Sequence, residues 1–142
     1  MAGLFRERPS LEQLNARGAG NALSNSGIVF TEIGDDFLRG TMPVDARTLQ
    51  PYGLLHGGAS ALLAETLGSL AANLCMDDPV NEQAVGIQIT ANHLRAVTEG
   101  VVTGTARPVH VGRSTQVWDI RIEDGQGRAV CVSRLTLAVR RN

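Results

Sequence analysis

The sequence predicts an α+β fold in which an antiparallel β-sheet wraps around one long central helix. Three observations predict it. From Gly57 to Cys75 runs a segment dominated by alanine and leucine, with no β-branched run and apolar residues around nearly its whole circumference. A helix of that kind belongs in a protein interior. Two strand-like segments precede it and four follow, and a sheet of that size covers a single helix best by curling around it. The 142 residues fit one domain, 1–142, with residues 1–20 as a short helical N-terminal segment.

Each element has a local reason. Ser10-Leu-Glu-Gln13 has the capping-box pattern, so a short helix is expected from Leu11 to Ala16, ended by Gly18 and Gly20. Ile28 to Ile33 and Phe37 to Met42 flank Gly34-Asp-Asp36, a hairpin signature, and Pro43 to Gln50 is a polar connection. After the central helix and Asp77-Asp-Pro79, strands are expected at Val85–His93, Val101–Arg107, Ser114–Glu123 and Arg128–Val139. Trp118, Ile120 and Ile122 alternate with Val117, Asp119 and Arg121, the pattern of a sheet with one covered face. Asp124-Gly-Gln-Gly127 is the tight turn between the last two strands.

Composition removes several functions. The 13 basic residues are all arginine and face 14 acids, for a net charge of −1. Without lysine there is no side-chain Schiff base and no P-loop lysine. The near balance argues against nucleic acid and anionic membranes as partners. Cys75 and Cys131 sit in apolar runs, away from metal or disulfide-framework spacing, and read as buried thiols in a reducing compartment. The first ten residues lack the apolar core of a signal peptide, and Gly53–Met76 is too interrupted by polar residues to span a membrane. A cytoplasmic protein is expected.

Four regions carry candidate chemistry. Glu65 is the only acid between Asp45 and Asp77, and no arginine occurs between Arg47 and Arg95. Desolvation would make such a carboxylate more basic, suited to act as base or nucleophile. The plain alternative is that Glu65 lies on an exposed stripe or pairs with an arginine from a later strand. Gln50-Pro-Tyr-Gly-Leu-Leu-His56-Gly57-Gly58 puts an amide, an imidazole and free backbone N–H groups at the helix start, suited to a carbonyl oxygen gaining charge. Equally, the glycines could merely make a tight turn into the helix. Ser69, one turn beyond Glu65, could hold water or serve only helix packing. Finally, Gly86 to Ala96 (with His93, Leu94, Arg95 and Ala96) and Pro108 to Thr115 (with His110, Val111, Gly112, Arg113, Ser114 and Thr115) hold groups that bind phosphates without a P-loop, although such residues also serve ordinary turns.

Spacing limits how these groups combine. His56 and Glu65 lie nine residues apart. On a helix that is ~13.5 Å and opposite faces. Acting on one substrate, they must come from different subunits, with helices antiparallel across a two-fold axis. Three scattered histidines without a carboxylate at ligand spacing argue against zinc, and Ser60 lacks a Gly-x-Ser-x-Gly setting.

From Leu11 to Val139 the chain resembles the hotdog-fold thioesterases, specifically the branch acting on 4-hydroxybenzoyl-CoA and 1,4-dihydroxy-2-naphthoyl-CoA. The resemblance rests on Met42-Pro-Val-Asp-Ala-Arg-Thr-Leu-Gln50-Pro, Gly53-Leu-Leu-His-Gly-Gly-Ala-Ser60, Ala64-Glu65-Thr-Leu-Gly-Ser69, Ala91-Asn-His-Leu-Arg95 and Val117-Trp118. It implies a hotdog fold and an acyl-CoA thioesterase. Glu65 would be the catalytic carboxylate, the Gly57 N–H would polarise the carbonyl, Gln50 and His56 would orient the thioester, and Ser69 would stand near the water. Gly86, His93 to Ala96 and His110 to Thr115 would hold coenzyme A. A homodimer with composite sites, assembled into a homotetramer, is implied, with no metal or bound cofactor. Menaquinone synthesis and aromatic degradation are the pathways that fit. A hotdog dehydratase or hydratase and a non-catalytic acyl-CoA-binding protein are the alternatives.

Overall fold

The computed structural model describes residues 3–142, in which three helices and six strands follow one another. They are α1 (Leu11–Ala16), α2 (Ala22–Ser26), β1 (Val29–Ile33), β2 (Leu38–Pro43), α3 (Gly57–Leu74), β3 (Glu82–His93), β4 (Val101–Val111), β5 (Thr115–Glu123) and β6 (Ala129–Arg141). The strands form one antiparallel sheet in the order β1-β2-β4-β5-β6-β3. Its two outer strands therefore come from the hairpin before α3 and from the strand that follows α3.

The alternation read at Trp118, Ile120 and Ile122 holds, and all three side chains are buried. With Leu135 and Leu137 of β6 they meet Leu63, Ala64, Leu67 and Ala71 of α3 in one core. Two glycines let helix and sheet approach closely. A Cβ on Gly68 would sit 2.7 Å from Leu135 Cδ2, and one on Gly104 would sit 2.7 Å from Leu67 Cδ1. Gln116, fully buried, accepts from Trp118 Nε1 at 2.8 Å and donates to the Ala72 carbonyl at 3.3 Å, so its desolvated amide keeps its partners.

The capping box is present, with Ser10 and Gln13 bonding reciprocally around the first turn of α1. Residues 3–20 are more than a helical segment, however. Phe5 is buried with its ring stacked on Trp118, centroids 6.2 Å apart. The backbone N–H groups of Arg6 and Glu7 donate to the Leu74 carbonyl at 2.8 and 3.1 Å, satisfying an orphan acceptor at the end of α3. The five-residue α2, capped by the Asn21 side chain, is also additional to the sequence expectation.

Three expectations change. The sheet strands run further than expected: β3 begins at Glu82 and β6 ends at Arg141. β4 continues past Pro108 to Val111, so Pro108 to Val111 are not part of a connection. Proline has no ladder N–H, and the strand passes it with a register shift between Pro108 and His110. Most important, α3 is not buried on all sides. Gly58 and Glu65 are exposed, and Ala61, Leu62, Thr66, Ser69, Leu70 and Asn73 are half-buried. The sheet covers one side of the helix and leaves this stripe open.

Candidate active site

The connection between β2 and α3 builds the helix start. Thr48, almost wholly buried, donates from its hydroxyl to the Pro43 carbonyl at 2.7 Å, and its own carbonyl accepts from the His56 N–H at 2.8 Å. That tie brings the two ends of the loop together. Inside it, the Gln50 side-chain oxygen accepts from the backbone N–H groups of Tyr52 and Leu54. With its oxygen committed, Gln50 has its amide N–H groups left to offer a ligand.

His56 is the N-cap of α3, and its Nδ1 accepts from the Gly58 N–H at 2.8 Å. A neutral imidazole accepting through Nδ1 carries its proton on Nε2, so the ring presents a donor outward. Ala59 and Ser60 donate to the His56 carbonyl. Among the described residues, the Gly57 N–H has no partner. It is a free donor at the positive end of an 18-residue helix. A Cβ at residue 57 would lie 3.0 Å from His93 Nε2 and 3.2 Å from Cε1, so glycine is what lets the His93 ring lie against the helix start. Gln50, Gly57, His93, Leu94, Arg95 and Ala96 share a cleft of about 360 Å³ there, together with Leu54, Leu55, Ser60 and Val130.

Glu65 and Ser69 lie elsewhere, in a larger cleft of about 740 Å³ along the open stripe of α3. Its walls are Gly58, Ala61, Leu62, Thr66, Leu70 and Asn73 from α3, with Arg17, Leu23 and Phe30 facing them. The burial expected for the Glu65 carboxylate is not supplied by this chain, because the open stripe leaves the side chain exposed. Among the described residues no arginine pairs with it. Gly86 lies beside it: a Cβ there would be 2.8 Å from Glu65 Oε2, so the bare backbone of β3 makes room for the carboxylate.

Asn73 and Arg17 on these walls were not singled out from sequence. Asn73 donates to the Ala84 and Ser69 carbonyls at 3.0 and 2.8 Å and accepts from the Ala84 N–H at 2.9 Å, clamping α3 to β3. A lone amide in an alanine-leucine helix was the available signal.

The last stretch lies apart from both clefts. His110 and Val111 end β4, and Gly112 to Ser114 form the turn before Thr115, closed by the Gly112 N–H on the Thr115 carbonyl at 2.9 Å. Val111, Gly112 and Arg113 border a cleft with Cys75 and Met76, beyond the C-terminal end of α3. At 18 residues, α3 separates them from Gly57 by ~27 Å. Within one chain, His93–Ala96 and His110–Thr115 are thus not brought together. Neither cysteine offers a nucleophile: burial pushes the Cys75 thiol up to about 12 and raises Cys131 as well.

A family model described as the thioesterase superfamily matches residues 52–131, from the loop before α3 through β3, β4 and β5 into β6. The chain belongs to the thioesterase superfamily. Proofreading thioesterase EntH of Cronobacter sakazakii is 52% identical over 136 residues, covering 96% of this chain and 98% of the relative. The 1,4-dihydroxy-2-naphthoyl-CoA hydrolase of Escherichia coli is 50% identical over 136 residues, 96% of this chain and 98% of its own length. A crystal structure of a thioesterase mutant from Pseudomonas aeruginosa matches with a TM-score of 0.95 at 48% identity, covering 99% of this chain and 100% of the other. The expected hotdog fold is therefore the fold observed, and this superfamily member is a thioester hydrolase. Among the described residues, no helix is long and apolar enough to cross a membrane.

Proposed function

We propose that the protein hydrolyses acyl-CoA thioesters with an aromatic acyl group, in sites shared between two copies of the chain. One observation carries this reading: the free Gly57 donor and the Glu65 carboxylate belong to one helix but open into different clefts. Each cleft holds half of what thioester hydrolysis needs, a donor for the carbonyl oxygen and a carboxylate for the carbonyl carbon or a water. Strand β3, 12 residues long at the sheet edge, offers its outer side for antiparallel pairing with a second copy. Such pairing sets the two α3 helices antiparallel, and each helix start then faces the partner's open stripe.

In that arrangement the Gly57 N–H donates to the thioester carbonyl, while Gln50 and His56 Nε2 hold the thioester in place. Glu65 of the partner subunit attacks the carbonyl carbon or draws the proton from an attacking water that Ser69 positions. On the water path the carbon–sulfur bond breaks and coenzyme A leaves as the thiol, taking up the proton Glu65 drew. On the nucleophilic path it leaves as the thiolate, and water then hydrolyses the acyl–Glu65 anhydride, freeing the acid and giving up the proton that balances the thiolate. Covering the stripe also supplies the desolvation that strengthens Glu65 as a base. Coenzyme A would lie along Gly86, His93 to Ala96 and the partner's His110 to Thr115, which antiparallel helices carry toward the helix start. No metal or bound cofactor enters these steps. The apolar walls Leu23, Phe30, Leu62 and Leu70 and the dihydroxynaphthoyl-CoA hydrolase among the relatives support an aromatic acyl group.

The test is thiol release from a panel of aromatic and aliphatic acyl-CoAs by wild type, Glu65→Ala and Glu65→Gln. Both variants should lose about 10²–10⁴-fold in kcat while still binding coenzyme A. Undiminished hydrolysis in the variants would refute the assignment.

A further inference from the structure

Among the described residues, Arg17 is the one cation on the lining of the large cleft. Its position across from Glu65 follows from the sheet order. β1 and β3 are the two outer strands of a sheet curled around α3, and the cleft lies between the open stripe of α3 and the elements at the β1 edge. Glu65 leans on the β3 side, at Gly86. Arg17 stands on the β1 side, where its backbone N–H donates to the Leu14 carbonyl at 3.1 Å and the Gly18 N–H to the Asn15 carbonyl at 3.1 Å, closing α1. Helix α1 is in turn fixed to β1: Asn15 Nδ2 donates to the Phe30 carbonyl at 3.0 Å, and the Phe30 N–H donates back to Asn15 Oδ1 at 2.8 Å. Asn21 Nδ2 adds a bond to the Arg17 carbonyl at 2.8 Å.

The backbone of Arg17 is thereby held, yet its guanidinium has no acid or carbonyl partner among the described residues. Phe30, Leu62 and Leu70 fill the cleft between the two walls with apolar surface. An acyl group whose thioester lies at Glu65 therefore runs across apolar side chains toward five unspent N–H donors.

We propose that Arg17 sets the acyl selectivity by donating to an oxygen, hydroxyl or carboxylate, on the aromatic ring at the end remote from the thioester. This rests on the acyl-CoA thioesterase reading above. Arg17 is exposed at the border of this apolar cleft, and a ring oxygen that reaches its guanidinium gains a charge-assisted hydrogen bond in place of the water there. An unsubstituted ring desolvates the same guanidinium and returns nothing, so the discrimination works in both directions.

Thiol release from benzoyl-, 4-hydroxybenzoyl- and 4-carboxybenzoyl-CoA by wild type, Arg17→Met and Arg17→Lys tests this. Wild type should favour the two oxygenated substrates. Arg17→Met should lose about 10- to 100-fold in kcat/KM on them, while benzoyl-CoA hydrolysis should rise above wild type because no guanidinium is left to desolvate. Arg17→Lys should restore part of the preference, more on the carboxylate than on the hydroxyl. An unchanged substrate ratio in Arg17→Met, or an equal loss on all three substrates, would overturn the role of Arg17 alone. A wild-type enzyme that releases no thiol from any of them overturns the aromatic thioesterase reading, and this inference with it.

Discussion

The cleft at the start of α3 and the cleft along its open middle differ in where their polar groups come from. At the start, the chain itself provides donors: the Gly57 N–H, unpartnered among the described residues, and the Gln50 amide, with His56 capping the helix beside them, all held by backbone bonds of one loop. In the middle, the polar groups are side chains, Glu65 and Ser69, on a helix face that this chain leaves open. Donors fixed by backbone need no partner to be in position. A carboxylate on an open face is positioned but not desolvated. The first region is complete as a donor site and the second waits for a cover, which is why we place the reaction between two copies.

That difference can be broken most sharply by separating the halves. Gly57→Val puts a side chain against the His93 ring and Glu65→Ala removes the carboxylate, so each alone should lower kcat by about 10²–10⁴-fold. Co-expressed as random mixed dimers, the two variants should regain about a quarter of wild-type activity, because half the dimers are mixed and each has one intact site. Activity titrated against the ratio of the two variants measures this. No regain on mixing would place both groups in one chain's site and remove the distinction.

Much of this division was legible in the residues. The nine-residue spacing of His56 and Glu65 already forbade a shared site within one chain, and the Trp118-Ile120-Ile122 alternation already located the covered face of the sheet. What misled was the all-apolar circumference of α3. Alanine and leucine do not say whether a face is covered by this chain's sheet or by nothing in the chain, so the exposure of Glu65 could not be read from its neighbours. Pro108 hid the length of β4 for a related reason, since proline usually ends a strand and here is absorbed by a register shift. Arg17 is placed at the cleft by the bonds its neighbour Asn15 makes to Phe30, and Asn73 by its own bonds to Ala84, partners too far along the chain to leave a local pattern.

A matched pair of substitutions sharpens the comparison at smaller cost. Asn73→Ala strips the Ala84 N–H and carbonyl of their partner and loosens the β3 wall beside Glu65. Thr48→Val removes the hydroxyl that accepts from the Asp45 N–H and donates to the Pro43 carbonyl, and loosens the loop behind Gln50 and His56. Each should cost about 1–3 kcal/mol in a denaturant melt. Their kinetic signatures should differ: Asn73→Ala should act mainly on kcat through the carboxylate, and Thr48→Val should also raise KM through the thioester-holding groups. Identical kcat and KM changes would show that the two walls move as one body.

The smallest effect concerns Asp45, in the turn that launches the helix-start loop. Its carboxylate accepts from the Arg47 backbone N–H at 3.0 Å and from the guanidinium at 3.1 and 2.6 Å. The hydrogen bond from the Arg47 side chain, then that from its backbone, holds the Asp45 carboxyl down at about 2, below its ordinary 3.8. A carboxyl whose folded value is depressed favours the folded state wherever it is ionised. This contribution is complete above about pH 4 and is lost as pH falls through about 2. The pair is solvent-exposed, so the gain is small. Asp45→Asn should therefore melt slightly below wild type at pH 7, with the gap closing toward pH 2. A gap that persists unchanged to pH 2 would mean that the turn is held by its backbone bonds alone, and the helix-start cleft would owe nothing to this ion pair.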